Sequence, residues 1–121
     1  MSKTNQKLGK MGEDIAAEFF EARGFIVLER NYRTSTGEID LIVRKDDLIV
    51  FVEVKTRTST RYGLPEEAIT STKQEHMVTS AEEYILSHPE NSEFWRLDVL
   101  SILINQHNGN PQIEWFENAI S

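Results

Sequence analysis

Residues Gly37–Arg57 read GEIDLIVRKDDLIVFVEVKTR, two apolar runs on either side of Asp46 and Asp47. Short runs rich in β-branched residues, joined by turn residues, predict two antiparallel strands, Glu38–Arg44 and Leu48–Thr56. LIV after Asp40 and LIVFV before Glu53 have the near-continuous apolar character of strands covered on both faces. Glu38, Asp40, Glu53 and Lys55 interrupt that pattern, and charges that enter a covered sheet need a reason.

The turn supplies one. If Asp46 and Asp47 form a two-residue loop, Lys45 faces Leu48, Asp40 faces Glu53 and Glu38 faces Lys55, all four charges on one face by the two-residue period. A four-residue loop keeps this register, whereas a three-residue loop shifts it by one and separates the carboxylates. In the even register the Cβ atoms of Asp40 and Glu53 lie about 5 Å apart, a like-charge pairing that destabilises a sheet unless it is offset. Two readings fit. A divalent cation such as Mg²⁺, held by one or two carboxylates, waters and phosphate oxygens, would neutralise the pair, with Lys55 beside it to orient a water or stabilise phosphate charge. Alternatively, the hairpin is an edge with a solvated polar face, and Glu38 with Lys55 is a surface ion pair.

Outward from the hairpin, Leu8, Met11, Ile15 and Phe19 recur at helical spacing before Gly24, which predicts a first helix over Leu8–Arg23. Glu13 lies on the side of that helix that carries Ala16, Ala17 and Phe20 and so borders its packed face, where it either points over the sheet toward Asp40 or serves as an early-helix acid favoured by the helix dipole. FIVLERNYR, Phe25–Arg33, is a strand, and TSTG after it is turn chemistry. RTSTRYGLP is a loop that leads to a short helical piece, PEEAI. A second long helix starts at Ser71, with Gln74 placed for a capping box, and ends before Pro89. WRLDVLSILI, Trp95–Ile104, is a strand, and Asn108-Gly109 turns it into QIEWFE. The order αβββαββ predicts an α/β domain with a central mixed sheet flanked by helices.

At 121 residues, with 39% hydrophobic and 27% charged residues, the chain is one globular domain spanning 1–121, without repeat or linker. The N-terminal MSKTNQKLGKMGED lacks the apolar core of a secretory signal and no run of about 18 apolar residues occurs, so the expectation is a cytoplasmic protein with no membrane partner. With no cysteine, disulfides, thiolate metal sites and thiol nucleophiles are excluded, and any metal must bind through oxygen or histidine. His76, His88 and His107 have no ligand spacing and read as surface residues. The net charge of −7 argues against a protein that coats nucleic acid, but it is unevenly spread. Residues 1–73 hold 12 of the 13 Lys and Arg against 12 acids, whereas 74–121 hold only Arg96 against 8 acids. Any basic face belongs to the first part.

Asp40, then Glu53-Val54-Lys55, preceded by a helix bearing Glu13, resembles the PD-(D/E)XK nuclease superfamily. More narrowly, GKMGEDIAAEFFEARGFIVLERNYR, GEIDLIVRKDDLIVFVEVKTR, PEEAITSTKQ and RLDVLSI together resemble the YraN-like family of uncharacterised bacterial proteins, related to archaeal Holliday-junction resolvases. The likeness covers most of the chain, although Ile39 stands where the superfamily motif names Pro. It implies a restriction-endonuclease-like αβββαβ core and a Mg²⁺- or Mn²⁺-dependent endonuclease acting on DNA, including branched or junction DNA. By the same resemblance Asp40 and Glu53 ligate the metal, Glu13 joins them from the first helix, and Lys55 is the catalytic lysine.

Further nucleic-acid contacts are expected from Lys73 and Gln74, where a helix start, an ammonium and an amide can meet a phosphate. Arg57, Arg61 and Tyr62 follow the lysine strand, where they either grip a phosphate backbone or are simply solvated. Gln74 serves equally as the capping residue. A two-fold symmetric junction as substrate would call for a homodimer, with the strand edge near Trp115 and Phe116 as one place for it. The alternative function is a catalytically inert nucleic-acid-binding or protein-interaction module on the same fold.

Overall fold

The computed structural model describes residues 3–58, 71–90, 94–104 and 110–120, with the side chains of 3–5 and 120 excepted. The elements run α1 (Lys3–Glu21), β1 (Ile26–Arg33), β2 (Glu38–Lys45), β3 (Leu48–Arg57), α2 (Ser71–Ser87), β4 (Phe94–Ile104) and β5 (Pro111–Ile120). This is the α/β order expected, with a mixed five-stranded sheet in spatial order β1-β2-β3-β4-β5. Among the described residues only β3 and β4 pair in parallel. A parallel pair needs a long crossover, and α2 lies within it. The PEEAI helix and the Asn108-Gly109 turn fall outside the described residues.

The two helices cover opposite faces of the sheet, which is why β2 and β3 are apolar on both. Ile42, Ile49, Phe51, Leu97 and Val99 pack with Met77, Ala81 and Tyr84 of α2. Leu41, Val43, Val50, Val52, Leu100 and Ile102 pack with Ala16 and Phe20 of α1.

α1 ends where its sequence says it must. Gly24 adopts φ 88, the Phe25 N–H donates to the Phe20 carbonyl at 3.0 Å, and the Gly24 N–H donates to the Glu21 carbonyl at 3.1 Å. This is a Schellman ending, with its usual hydrophobic contact supplied by the Phe20 and Phe25 rings, 5.3 Å between centroids. The buried face of α1 differs from the expected stripe, because Met11 is 48% exposed while Gly12, Ala16, Ala17 and Phe20 are buried. Small residues let the helix approach β3 closely at this point. A Cβ added to Gly12 would lie 1.8 Å from Thr56 Oγ1 and 3.0 Å from Thr56 Cβ.

That contact makes a prediction whose sign is informative. Helix propensity alone favours Gly12→Ala by about 1 kcal/mol. Overpacking against Thr56 costs about 1–3 kcal/mol, so Gly12→Ala is expected to lower the melting temperature, and Thr56→Ala in the same chain to restore part of the loss. A rise in melting temperature for Gly12→Ala alone would refute the close approach.

Candidate functional site

The expected hairpin register is the observed one, from Lys45 opposite Leu48 to Leu41 opposite Val52, with Asp46 at φ 53 in the two-residue turn. Pairing between the two strands then stops. Every β2 residue except Asp40 has a Cα partner in β1 or β3, and the β1 residue that would face it, Asn31, sits at φ 51 and is likewise skipped. An irregularity of this kind next to a polar residue re-aims its side chain. Asp40 Oδ2 accepts the Val54 N–H at 2.8 Å, so a side-chain oxygen rather than a strand carbonyl takes that donor.

Glu53 follows Ile49 and Phe51 onto the face covered by α2 and is 5% exposed. Its Oε1 meets two ammonium groups, Lys55 Nζ at 3.2 Å and Lys73 Nζ, from the first turn of α2, at 2.5 Å. The Asp40 and Glu53 carboxyl groups are neighbours, as the turn requires. Burial, and then the Glu53 charge, push the Asp40 carboxyl up to about 7, against the Val54 hydrogen bond that favours its ionised form. Burial and the nearby Lys73 ammonium lower Lys55, with Glu53 opposing. Burial alone would lower Lys73 as well, but its contact with Glu53 prevails and raises it.

Two clefts open on this corner and share Asp40. One, of about 330 Å³, is lined by Leu8, Gly9, Glu13, Asp40, Val54, Lys55 and Thr56. The other, of about 320 Å³, lies toward α2 and is bordered by Glu38, Asp40, Glu53, Lys73 and His76 among others. A ligand at Asp40 is therefore reachable from both sides.

The remaining expectations fare unevenly. Glu13 lines the first cleft with Asp40, but its Oε2 accepts from Asn31 Nδ2 at 3.0 Å and lies 3.9 Å from Arg30. Among the described residues no three His, Asp or Glu side chains gather at ligating distance, so Glu13 does not complete a triad in this conformation. The expected facing of Glu38 and Lys55 is not observed. Glu38 faces Arg33 of β1 and pairs with it at 3.9 Å, because β2 leaves β3 beyond Leu41. Lys73, expected at a phosphate, lies on Glu53. Arg57 ends β3 opposite Leu103 and Gln74 lies on α2. Arg61, Tyr62 and His107 are outside the described residues. His88 stacks on Tyr84 at 4.1 Å rather than lying free on the surface. Asn31, which holds Glu13, is a site residue that strand patterning passes over, although an Asn inside a β-rich run is a signal for a left-handed backbone.

The donor set fits a divalent cation. Two carboxyl groups, hard oxygen donors, stand side by side, and burial and the neighbouring charge push one of them up to about 7. A cation between them would remove both objections to ionisation.

Residues 12–102 match uncharacterised protein family UPF0102. A UPF0102 protein of Dictyoglomus turgidum is 43% identical over 115 residues, 95% of this chain and 98% of that one. Another from Chloroherpeton thalassium is 42% identical, covering 88% of this chain and 83% of the relative. Pyrococcus furiosus SfsA, solved in complex with Ca²⁺, is similar over 93% of this chain and 63% of its own, with a TM-score of 0.46 and 16% identity. Among the described residues no helix is long and apolar enough to cross a membrane.

Proposed function

The chain belongs to uncharacterised protein family UPF0102, and from that premise, together with the resemblance of its Asp40 and Glu53-Val54-Lys55 pattern to the PD-(D/E)XK nucleases, we propose that it is a cytoplasmic Mg²⁺- or Mn²⁺-dependent endonuclease that hydrolyses phosphodiester bonds in DNA, branched DNA included. The observation that carries this reading is the buried juxtaposition of Asp40 and Glu53, with Lys55 on a Glu53 oxygen.

Asp40 and Glu53 would hold the metal, which supplies Lewis acidity toward the phosphate and acidity to a bound water. Lys55 Nζ, two residues beyond Glu53 on the same strand face, orients the attacking water and receives its proton, a role helped by the burial that favours the neutral amine. The water oxygen forms the new bond to phosphorus, the ester oxygen on the opposite side departs with the bonding pair, and it takes a proton from solvent. Glu13, which lines the first cleft with Asp40, would supply a third acidic contact once it leaves Asn31. On a two-fold symmetric junction, two copies of the chain would each cut one strand.

The purified protein, incubated with junction, flapped and linear DNA and either metal, is expected to cleave at least one of these. Glu53→Gln should then lower the rate by at least about 100-fold, the scale on which loss of one preorganised charge acts. Cleavage by Glu53→Gln at the wild-type rate would overturn the assignment. A second reading, an inert module on the same fold, draws on Glu53 being already satisfied by two lysines. Calorimetric titration separates the two, since the inert module gives no Mg²⁺ or Mn²⁺ binding.

A further inference from the structure

Charge counting at the corner gives an odd result. Asp40 and Glu53, both ionised, contribute two negative charges, and Lys55 and Lys73 contribute two positive ones. Even with both carboxylates ionised the two lysines already balance them, so a divalent cation would leave the cluster two charges in excess on groups that are mostly buried. Uncompensated charge in such surroundings is costly, and a neutral Lys55 amine, as the proton acceptor must be, removes only one of the two charges, so binding must still expel a cation or bring in an anion.

The two ammonium groups are not equivalent. Lys55 rises from the central strand β3 with its side chain 21% exposed, whereas Lys73 stands on the first turn of α2 with 39% exposure. Both meet Glu53 Oε1, and Lys73 does so at the shorter distance. Lys73 also lines the α2-side cleft together with Asp40, so the way out of the cluster is open to it.

We infer that Lys73 is a placeholder cation, which neutralises Glu53 while no metal is bound and swings into the α2-side cleft, toward a substrate phosphate, when a divalent cation takes its place. The inference rests on the metal reading of Asp40 and Glu53 and adds the exchange to it. Lys73 thus keeps the empty site folded at the expense of metal affinity. The displaced ammonium then becomes a phosphate ligand only after the metal is in, which orders the two binding events.

The test is Mn²⁺ titration calorimetry on the full chain, with melting curves in EDTA. Lys73→Met is expected to bind Mn²⁺ at least about threefold more tightly than the wild type, the ratio set by losing a half-exposed ion pair, and to melt lower in EDTA. Lys73→Arg, which keeps the charge, is expected to stay near the wild-type affinity. In the wild-type chain, saturating Mg²⁺ should also move the side-chain ammonium resonance of Lys73 in nitrogen-labelled protein, a readout that needs no variant. Unchanged or weaker Mn²⁺ binding by Lys73→Met, or an unmoved resonance while the wild type binds metal, overturns the exchange and leaves the metal site standing. Absence of Mn²⁺ binding in the wild type overturns the metal reading and the exchange with it.

Discussion

Asp40→Asn is expected to abolish Mn²⁺ binding and lower DNA cleavage by about a thousandfold or more, and at the same time to make the metal-free protein more stable at pH 8. The second effect follows from linkage. The Asp40 carboxyl titrates at about 7 in the folded chain against an ordinary 3.8. Between those values the folded state holds a proton that the unfolded state has released, so stability falls as pH rises from about 4 to 7 and levels off above. The missing stability is at most about 4 kcal/mol at pH 8. The amide introduced by Asp40→Asn would carry no charge to desolvate, would still accept the Val54 N–H through its oxygen, and would donate to Glu53 where a second carboxylate is repelled. In EDTA the variant should therefore show no such decline over this range, and the two proteins should converge near pH 4. Saturating Mn²⁺ should raise the melting temperature of the wild type alone. Parallel melting profiles for the two proteins would refute the strained pair, and unchanged cleavage would refute its role.

Stability surrendered at a pair of carboxylates is expected where function holds them together, and that signature is readable in the sequence. The two-residue Asp46–Asp47 turn sets the register, and the register sets Asp40 beside Glu53. Strand alternation puts Glu53 and Lys55 on a shared face for the same reason. Sequence reasoning goes astray where it assumes that a regular pattern continues. An unbroken ladder would pair Glu38 with Lys55, but β2 turns away at Asp40, opposite the left-handed Asn31. Large apolar residues suggest one buried face for α1, and glycine at positions 9 and 12 allows a close backbone approach; the structure uses Gly12 for it, against Thr56, while a Cβ at Gly9 would meet nothing within 4 Å. A helix start invites a phosphate to Lys73. Its contact with Glu53 depends instead on where the crossover after β3 sets α2 down, and no local pattern encodes that.

Asp98 shows what a buried carboxylate looks like when its task is structural. It sits in β4, fully buried, and belongs to RLDVLSI, the last segment in which the family likeness is visible in sequence. Arg96 Nε donates to both its oxygens, at 3.0 and 3.2 Å, Trp115 Nε1 to Oδ2 at 2.7 Å, and the Asn118 N–H to Oδ1 at 2.8 Å. Asn118 has φ 52, and the pairing of β4 with β5 shifts register between Leu97 and Val99. The carboxylate supplies acceptors where that irregularity leaves donors without strand partners. It also fixes the Trp115 ring, which packs edge-on against Phe20 at 5.3 Å and Phe19 at 5.8 Å. Asp98→Ala would leave an indole N–H, a backbone N–H and the Arg96 Nε–H without their acceptor, while Arg96 Nη2 keeps Glu117 at 3.2 Å, a loss of about 3–5 kcal/mol. For a domain of this size that corresponds to a fall of about 10–20 °C in melting temperature. Asp98→Asn, with one acceptor oxygen left, should fall between. Mn²⁺ affinity measured well below the melting point should be unchanged in both, because β5 lies on the far side of β4 from β3. A drop of less than about 3 °C for Asp98→Ala would refute the anchoring role, since even one unsatisfied buried donor costs about 1 kcal/mol or more. The two aspartates thus invert each other. Asp98 has three donor groups around it and its loss should cost stability alone, whereas Asp40 stands between one backbone N–H and a second carboxylate, and its loss should cost activity while stability rises.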